Sequence, residues 1–172
     1  MTTADARPRL VVICGLPGAG KTTLARRLAR EMSAVRLCPD EWLASLGADL
    51  RDEPMRARLE AQLWRLAQDL LRLGQSVILE YGFWASKERD AIRLRARELG
   101  AAVELHYLDA PVDELWRRIE RRNAECEPGV APITREDLEH WAGIIQPPTP
   151  EERALFDAPL DEPAHEPTPP QS

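Results

Sequence analysis

The sequence predicts a three-layer α/β fold, a short parallel sheet of four to five strands with helices on both faces. Three observations predict it. Apolar, β-branched runs recur along the chain, and each is followed by a segment with helical spacing. The first such pair is joined by a glycine-rich turn. Proline and glycine stand where the intervening helices should start and stop, at Pro54, Gly74 and Pro111. Repeated strand–helix units imply right-handed crossovers and a sheet covered on both sides. At 172 residues the chain suits one domain with a substantial core.

The elements follow in order. Arg9-Leu10-Val11-Val12-Ile13-Cys14 is a continuous apolar run, as in a strand buried on both faces. Leu24 and Leu28 have helical spacing behind it. Ala34 to Cys38 is a short second strand, and Asp40-Glu41-Trp42-Leu43 opens a helical turn. After a polar break from Gly47 to Glu53, Pro54 begins a long helix to about Leu73. Leu59, Leu63, Leu66, Leu70 and Leu73 are its expected apolar stripe, and Gly74 its cap. Ser76 to Gly82 is a third strand, followed by a charged helix from about Ser86 to Leu99. Ala102 to Leu108 is a fourth, and Pro111 starts a helix to about Asn123. Pro128, Gly129 and Pro132 mark residues 123–133 as a mobile lid. Thr134-Arg135-Glu136-Asp137 reads as an N-cap opening a helix to about Ile144. Residues 1–157 form the expected domain. Eight of the 15 prolines fall from Pro147 onward, which predicts a disordered tail over 158–172.

The turn after the first strand carries the chemistry. Gly15-Leu16-Pro17-Gly18-Ala19-Gly20-Lys21-Thr22 fits G-x-x-x-x-G-K-[ST], the Walker A pattern of phosphate-cradling loops. Lysine occurs only at positions 21 and 87, against 21 arginines. A chain this biased toward arginine keeps Lys21 because a compact ammonium reaches where a planar guanidinium does not. With a strand before and a helix after, backbone N–H groups converge on phosphate oxygens at a helix N-terminus. Lys21 then meets the β- and γ-phosphates, Thr22 binds Mg²⁺, and Thr23 continues the first turn. A glycine turn that merely ends in Lys-Thr is the bland alternative, and both flanks argue against it. ATP or GTP is the expected ligand, in a P-loop NTPase fold.

Ligands gather beyond the carboxyl ends of parallel strands, so the residues there matter. Asp40 follows the second strand and is the expected general base, or alternatively a helix N-cap. Glu41 beside it is expected to face solvent. Glu80 closes the third strand, where an acidic group orients Mg²⁺ through water; Asp109 after the fourth reads as a turn or cap. Lys87 or Arg89 could bind an anionic part of an acceptor, or belong to a solvated helix face. Trp84 and Phe83 could stack on an acceptor ring, or simply pack. Leu115, Ile119 and Arg122 share a helical face, with Arg118 one turn before Arg122. Arg118 and Arg122 are thus preferred over Arg117 and Arg121 for neutralising a transferring phosphoryl group, against a plain basic face.

Charge and composition narrow the classes. A net charge of −6 disfavours general nucleic-acid binding and leaves only a local basic groove. Cys14, Cys38 and Cys126 are scattered without metal-like spacing. The polar stretch Met1 to Pro8 predicts no secretory leader, and no apolar run approaches membrane length. A cytoplasmic monomer or weak homodimer with no membrane partner is expected.

Together these residues resemble the small P-loop kinases of the AAA_33 group. That group is related to polynucleotide 5′-kinases, gluconate kinase, chloramphenicol phosphotransferase and zeta toxins. The likeness covers residues 9–156. Cys38-Pro39-Asp40-Glu41-Trp42 resembles the segment whose Asp serves as base. Val77 to Trp84, followed by Glu88-Arg89-Asp90, is similar to the group's third-strand signature. Arg118-x-x-x-Arg122 is similar to lid arginines. Gln146 to Glu152 resembles a late segment near the adenine base. Glu80 stands where Asp is commoner, and the chain turns Pro-rich where relatives often add a final strand. The resemblance implies transfer of the γ-phosphate of ATP, with Mg²⁺, to a hydroxyl of a small acceptor such as a sugar, antibiotic or nucleoside. The alternatives are a polynucleotide 5′-hydroxyl kinase, or an ATP-binding regulatory or toxin-like protein.

Overall fold

A computed structural model describes residues 7–125 and 132–160. Most of the expected lid and of the Pro-rich tail lies outside them. The elements are β1 (Arg9–Gly15), α1 (Lys21–Glu31), β2 (Val35–Leu37), α2 (Pro39–Ser45), α3 (Glu53–Arg72), β3 (Val77–Leu79), α4 (Ser86–Glu98), β4 (Ala102–Leu108), α5 (Val112–Glu125), α6 (Arg135–Ile144) and α7 (Pro150–Arg153). The four strands form one parallel sheet in the order β2-β3-β1-β4. β1 is central, which is why its residues Leu10 to Cys14 are apolar without interruption and fully buried.

Alternation along β1 divides the core into two layers. Val11 and Ile13 pack with Ala25 and Leu28 of α1 and Ile78 of β3. Leu10, Val12 and Cys14 face the other way, toward Leu63, Ala67 and Leu71 of α3 and Ala96 of α4. A third apolar cluster joins Leu16 of the glycine loop to Leu115 and Ile119 of α5 and Leu138 of α6. That cluster fixes α5 against the loop.

Two expectations need correction. The buried stripe of α3 runs through Leu63, Ala67 and Leu71, while Leu66 and Leu73 are exposed. A stripe traced through leucines alone drifts off the true face because the small Ala67 is one of its members. β3 stops at Leu79, earlier than Gly82, because its partner β2 ends at Leu37, whose carbonyl takes the last bond from Glu80 N–H; Phe83 beyond it is left-handed at φ 46°. Residues Gly82 to Ala85 turn the chain out of the sheet. The four strands among the described residues are the lower of the two numbers expected. The free edge of β4 is closed at one point, where Asp157 N–H donates to the Val103 carbonyl at 2.8 Å and its carboxylate accepts from Val103 N–H at 2.7 Å. Ala158 is held as well, its carbonyl accepting from Arg9.

The capping box expected at Thr134 forms, its hydroxyl accepting from Asp137 N–H while Asp137 accepts from Thr134 N–H. No helix among the described residues is long and apolar enough to cross a membrane.

Candidate active site

The glycine loop runs from the carboxyl end of β1 into the first turn of α1. Gly18 and Gly20 are required by geometry. Gly18 sits at φ 82°, and a Cβ there would lie 3.1 Å from the Leu115 carbonyl. Gly20 at φ 96° is the N-cap of α1, and no side chain caps that end. The first-turn amides of α1 therefore face outward at the positive end of the helix. Lys21 folds back over the loop, its Nζ donating to the Gly15 and Leu16 carbonyls at 2.9 Å each. Burial pulls its ammonium below the ordinary lysine value. Glu80 and Asp40 oppose that shift, and the charge of Arg122 adds to it. Three charged groups from separate parts of the chain thus act on one ammonium.

Thr22 donates its hydroxyl to Oε1 of Glu80. Glu80 is 6 % exposed, and its Oε2 accepts from Arg36 Nε at 2.6 Å. Arg36 also grips both oxygens of Glu41. The threonine hydroxyl and the carboxylate are hard oxygen donors of the kind Mg²⁺ takes when phosphate and water complete its shell. No cluster of three or more His, Cys, Asp or Glu side chains suited to a metal occurs among the described residues. One hydroxyl and one carboxylate fit the few protein oxygens that a phosphate-borne Mg²⁺ takes.

Asp40 lies in the first turn of α2, its side chain largely exposed. The N-cap of that helix is Cys38, so the capping alternative for Asp40 falls away. Arg56 of α3 reaches Asp40 Oδ1 at 2.7 Å and approaches Glu60 at 3.8 Å. Burial pushes the Glu60 carboxyl up. Tyr81, just past β3, is buried, and its hydroxyl has no partner among the described residues. Burial raises its phenol strongly, and the charge of Glu60 adds to that. Glu41 is exposed, as expected, but it is also held by Arg36 and Arg26 and is depressed chiefly by Arg36.

On the other side of the loop, Arg118 of α5 donates to the Gly18 carbonyl at 3.1 Å and pairs with Glu114. Arg122, one turn further, is exposed. Lys87 is exposed on the first turn of α4.

Two residues assigned to an acceptor in the sequence sit elsewhere. Arg89 is fully buried. Its guanidinium is spent on Glu152 (2.6 and 2.9 Å) and on the carbonyls of Phe83 (2.8 Å) and Gln146 (2.9 Å). It ties α4 to the C-terminal segment and has no donor left for a ligand. Trp84 packs against Trp141 (ring centroids 6.0 Å apart) within the cluster behind the loop, so its ring is a packing surface. Sequence reasoning missed Arg36, Arg56, Glu60 and Tyr81. An arginine between the apolar residues of a three-residue strand was a signal for Arg36, and the four-residue spacing of Arg56 and Glu60 on a helix was one for that pair.

The AAA_33 family model, described as an AAA domain, matches residues 10–148. The chain is 29 % identical over 161 residues to the "Probable adenylyl-sulfate kinase" of Aeropyrum pernix, covering 88 % of this chain and 84 % of that protein. It is 27 % identical over 146 residues to the shikimate kinase of Corynebacterium glutamicum, covering 82 % and 79 %. A solved chain of the Pnkp1/Rnl/Hen1 RNA repair complex superposes with a TM-score of 0.68 at 24 % identity, over 91 % of this chain. This chain spans only 48 % of that one, and the likeness is one of fold.

Proposed function

Because the chain belongs to the AAA_33 family and its relatives are P-loop kinases, we propose that it is an ATP-dependent kinase of a small hydroxyl-bearing molecule. One observation carries the reading. Lys21 and Thr22 of the phosphate loop, Glu80 beyond β3 and Asp40 on α2 converge at one end of the sheet.

In this reading the loop from Gly15 to Thr23 holds the polyphosphate with backbone N–H groups. Lys21 leaves the Gly15 and Leu16 carbonyls for phosphate oxygen. Thr22 and Glu80 would hold Mg²⁺, which would shield the phosphate charge and draw electrons from the transferring group. Asp40 accepts the proton of the acceptor hydroxyl at its carboxylate as the new O–P bond forms and the bond to the departing ADP breaks. Arg118 and Arg122 stand on the helix pinned to the loop, where they neutralise negative charge developing on the phosphoryl oxygens. The acceptor lies beside Asp40, against Arg56, Glu60 and Tyr81. The acceptors named for the two relatives, adenylyl sulfate and shikimate, are hydroxyl-bearing small molecules and belong among the first candidates.

The test is acceptor-stimulated ADP release, screened over sugars, nucleosides, antibiotics and 5′-hydroxyl oligonucleotides. Stimulation by a small alcohol supports the reading, and stimulation by oligonucleotides alone supports a 5′-end kinase. Slow hydrolysis that no alcohol stimulates, with a stable protein captured in pull-down, supports a regulatory protein.

A further inference from the structure

Arg36 occupies the middle of β2 between two apolar residues, and only 15 % of its side chain is exposed. Its guanidinium is shared between two carboxylates. Nε donates to Glu80 at 2.6 Å, while Nη1 and Nη2 donate to the two oxygens of Glu41 at 3.0 and 2.5 Å. This fork suits arginine and not lysine, whose single ammonium cannot span both groups with fixed geometry. Glu80 passes the contact on to Thr22. Glu41 is the immediate neighbour of Asp40 in the first turn of α2. Arg26 also reaches Glu41, yet that pair is exposed and holds the helix weakly.

Resting on the kinase reading above, we propose that Arg36 is a positioning residue. It locks the carboxylate beside Thr22 and the helix that presents Asp40 into one geometry, so that the metal on the donor and the base for the acceptor stay in register. Arg36 acts through Glu80 and Glu41. Without it Glu80 is a buried carboxylate that has lost its direct ion pair and keeps only the longer-range charge of Lys21, and it turns away from Thr22. Without it, too, the first turn of α2 keeps only the exposed Arg26 contact. A merely structural ion pair would influence folding and leave metal dependence alone, and this difference can be measured.

The experiment compares wild type with Arg36→Met, Arg36→Lys and Glu41→Gln, using a non-hydrolysable ATP analogue. Calorimetry reads the Mg²⁺ concentration needed for half-maximal analogue binding, and hydrogen exchange reads the amides of α2. If wild type binds no analogue, the kinase reading itself fails. Given wild-type binding, both Arg36 variants should raise the Mg²⁺ requirement about tenfold, with analogue binding in the absence of Mg²⁺ unchanged. Both should also speed exchange in α2. Glu41→Gln should speed exchange in α2 and leave the Mg²⁺ requirement at the wild-type level. An unchanged Mg²⁺ requirement in the Arg36 variants overturns the proposal, as does an equal rise in Glu41→Gln. If Arg36→Met does not fold, Arg36→Lys decides; loss of fold in both makes Arg36 purely structural and overturns it as well.

Discussion

Arg56 Nη2 lies 2.7 Å from Asp40 Oδ1, joining the first turn of α2 to α3 beside the phosphate loop. The same arginine approaches Glu60 and donates to the Leu50 carbonyl, so its position is held from three sides. Only one oxygen of Asp40 is engaged. No partner among the described residues meets the other, and in the proposed function it takes the proton of the acceptor hydroxyl. Asp40→Ala should therefore leave ATP binding intact and lower acceptor-dependent turnover about 10²- to 10⁴-fold. Calorimetry with ATP and an ADP-release assay on the same preparation separate the two effects. A variant with full turnover would remove Asp40 from the chemistry.

Lys21 should dominate nucleotide binding. Its ammonium already rests on the Gly15 and Leu16 carbonyls, partly desolvated, so it reaches phosphate without losing a full hydration shell. Lys21→Met is expected to abolish turnover and the thermal stabilisation that ATP confers on wild type. That stabilisation amounts to about 2.7 kcal/mol when ligand stands at about a hundred times its dissociation constant. A melting shift in the variant equal to wild type would contradict the assignment.

Arg122 should matter for rate and little for affinity. It is exposed at the end of the helix pinned by Arg118 to the Gly18 carbonyl, and its charge is felt at Lys21. Arg122→Ala should lower kcat about 10²-fold with a near-wild-type KM for ATP. Steady-state kinetics over both substrates would show the split, and a change confined to KM would make Arg122 a binding residue.

The Arg89–Glu152 pair should govern acid stability. The guanidinium is fully buried, and it holds the Glu152 carboxyl below the usual glutamate range. A carboxyl depressed in the folded state adds stability at pH above its unfolded value, near 4.3 for glutamate, and loses it as pH falls through the lower folded value. Wild type should thus weaken as pH drops below about 4.3, while Glu152→Gln should be less stable at pH 7 and flatter across that range. Removing one partner of a buried pair costs about 3–5 kcal/mol. Urea titrations at several pH values measure both the offset and the slope.

Gly18→Ala tests the seat of the loop on α5. The new methyl group would meet the Leu115 carbonyl at 3.1 Å and Ile119 at 3.2 Å, in a left-handed conformation. Loss of nucleotide binding in a folded protein is expected, with circular dichroism confirming the fold.

Much of this molecule was legible in its chain. The phosphate loop, the four strands, the caps at Gly74 and Thr134 and the placement of Asp40 and Glu80 after their strands depend on spacings of a few residues. Local hydrophobic period and turn chemistry report such features directly. The α3 stripe misled because Ala67 carries too little apolar surface to be counted, although it is fully buried.

By itself the sequence determined the order of strands and helices and the nucleotide loop, since these are written in neighbouring residues. Only the tertiary structure decided what the arginines do. Arg36 finds Glu80 across 44 residues, and Arg89 finds Glu152 across 63. Twenty-one arginines look alike along the chain. Which of them meets a carboxylate in the interior, and which is left free beside the phosphate loop, follows from the packing of helices on the sheet, because the strength of an ion pair is set by the burial and distance that packing imposes.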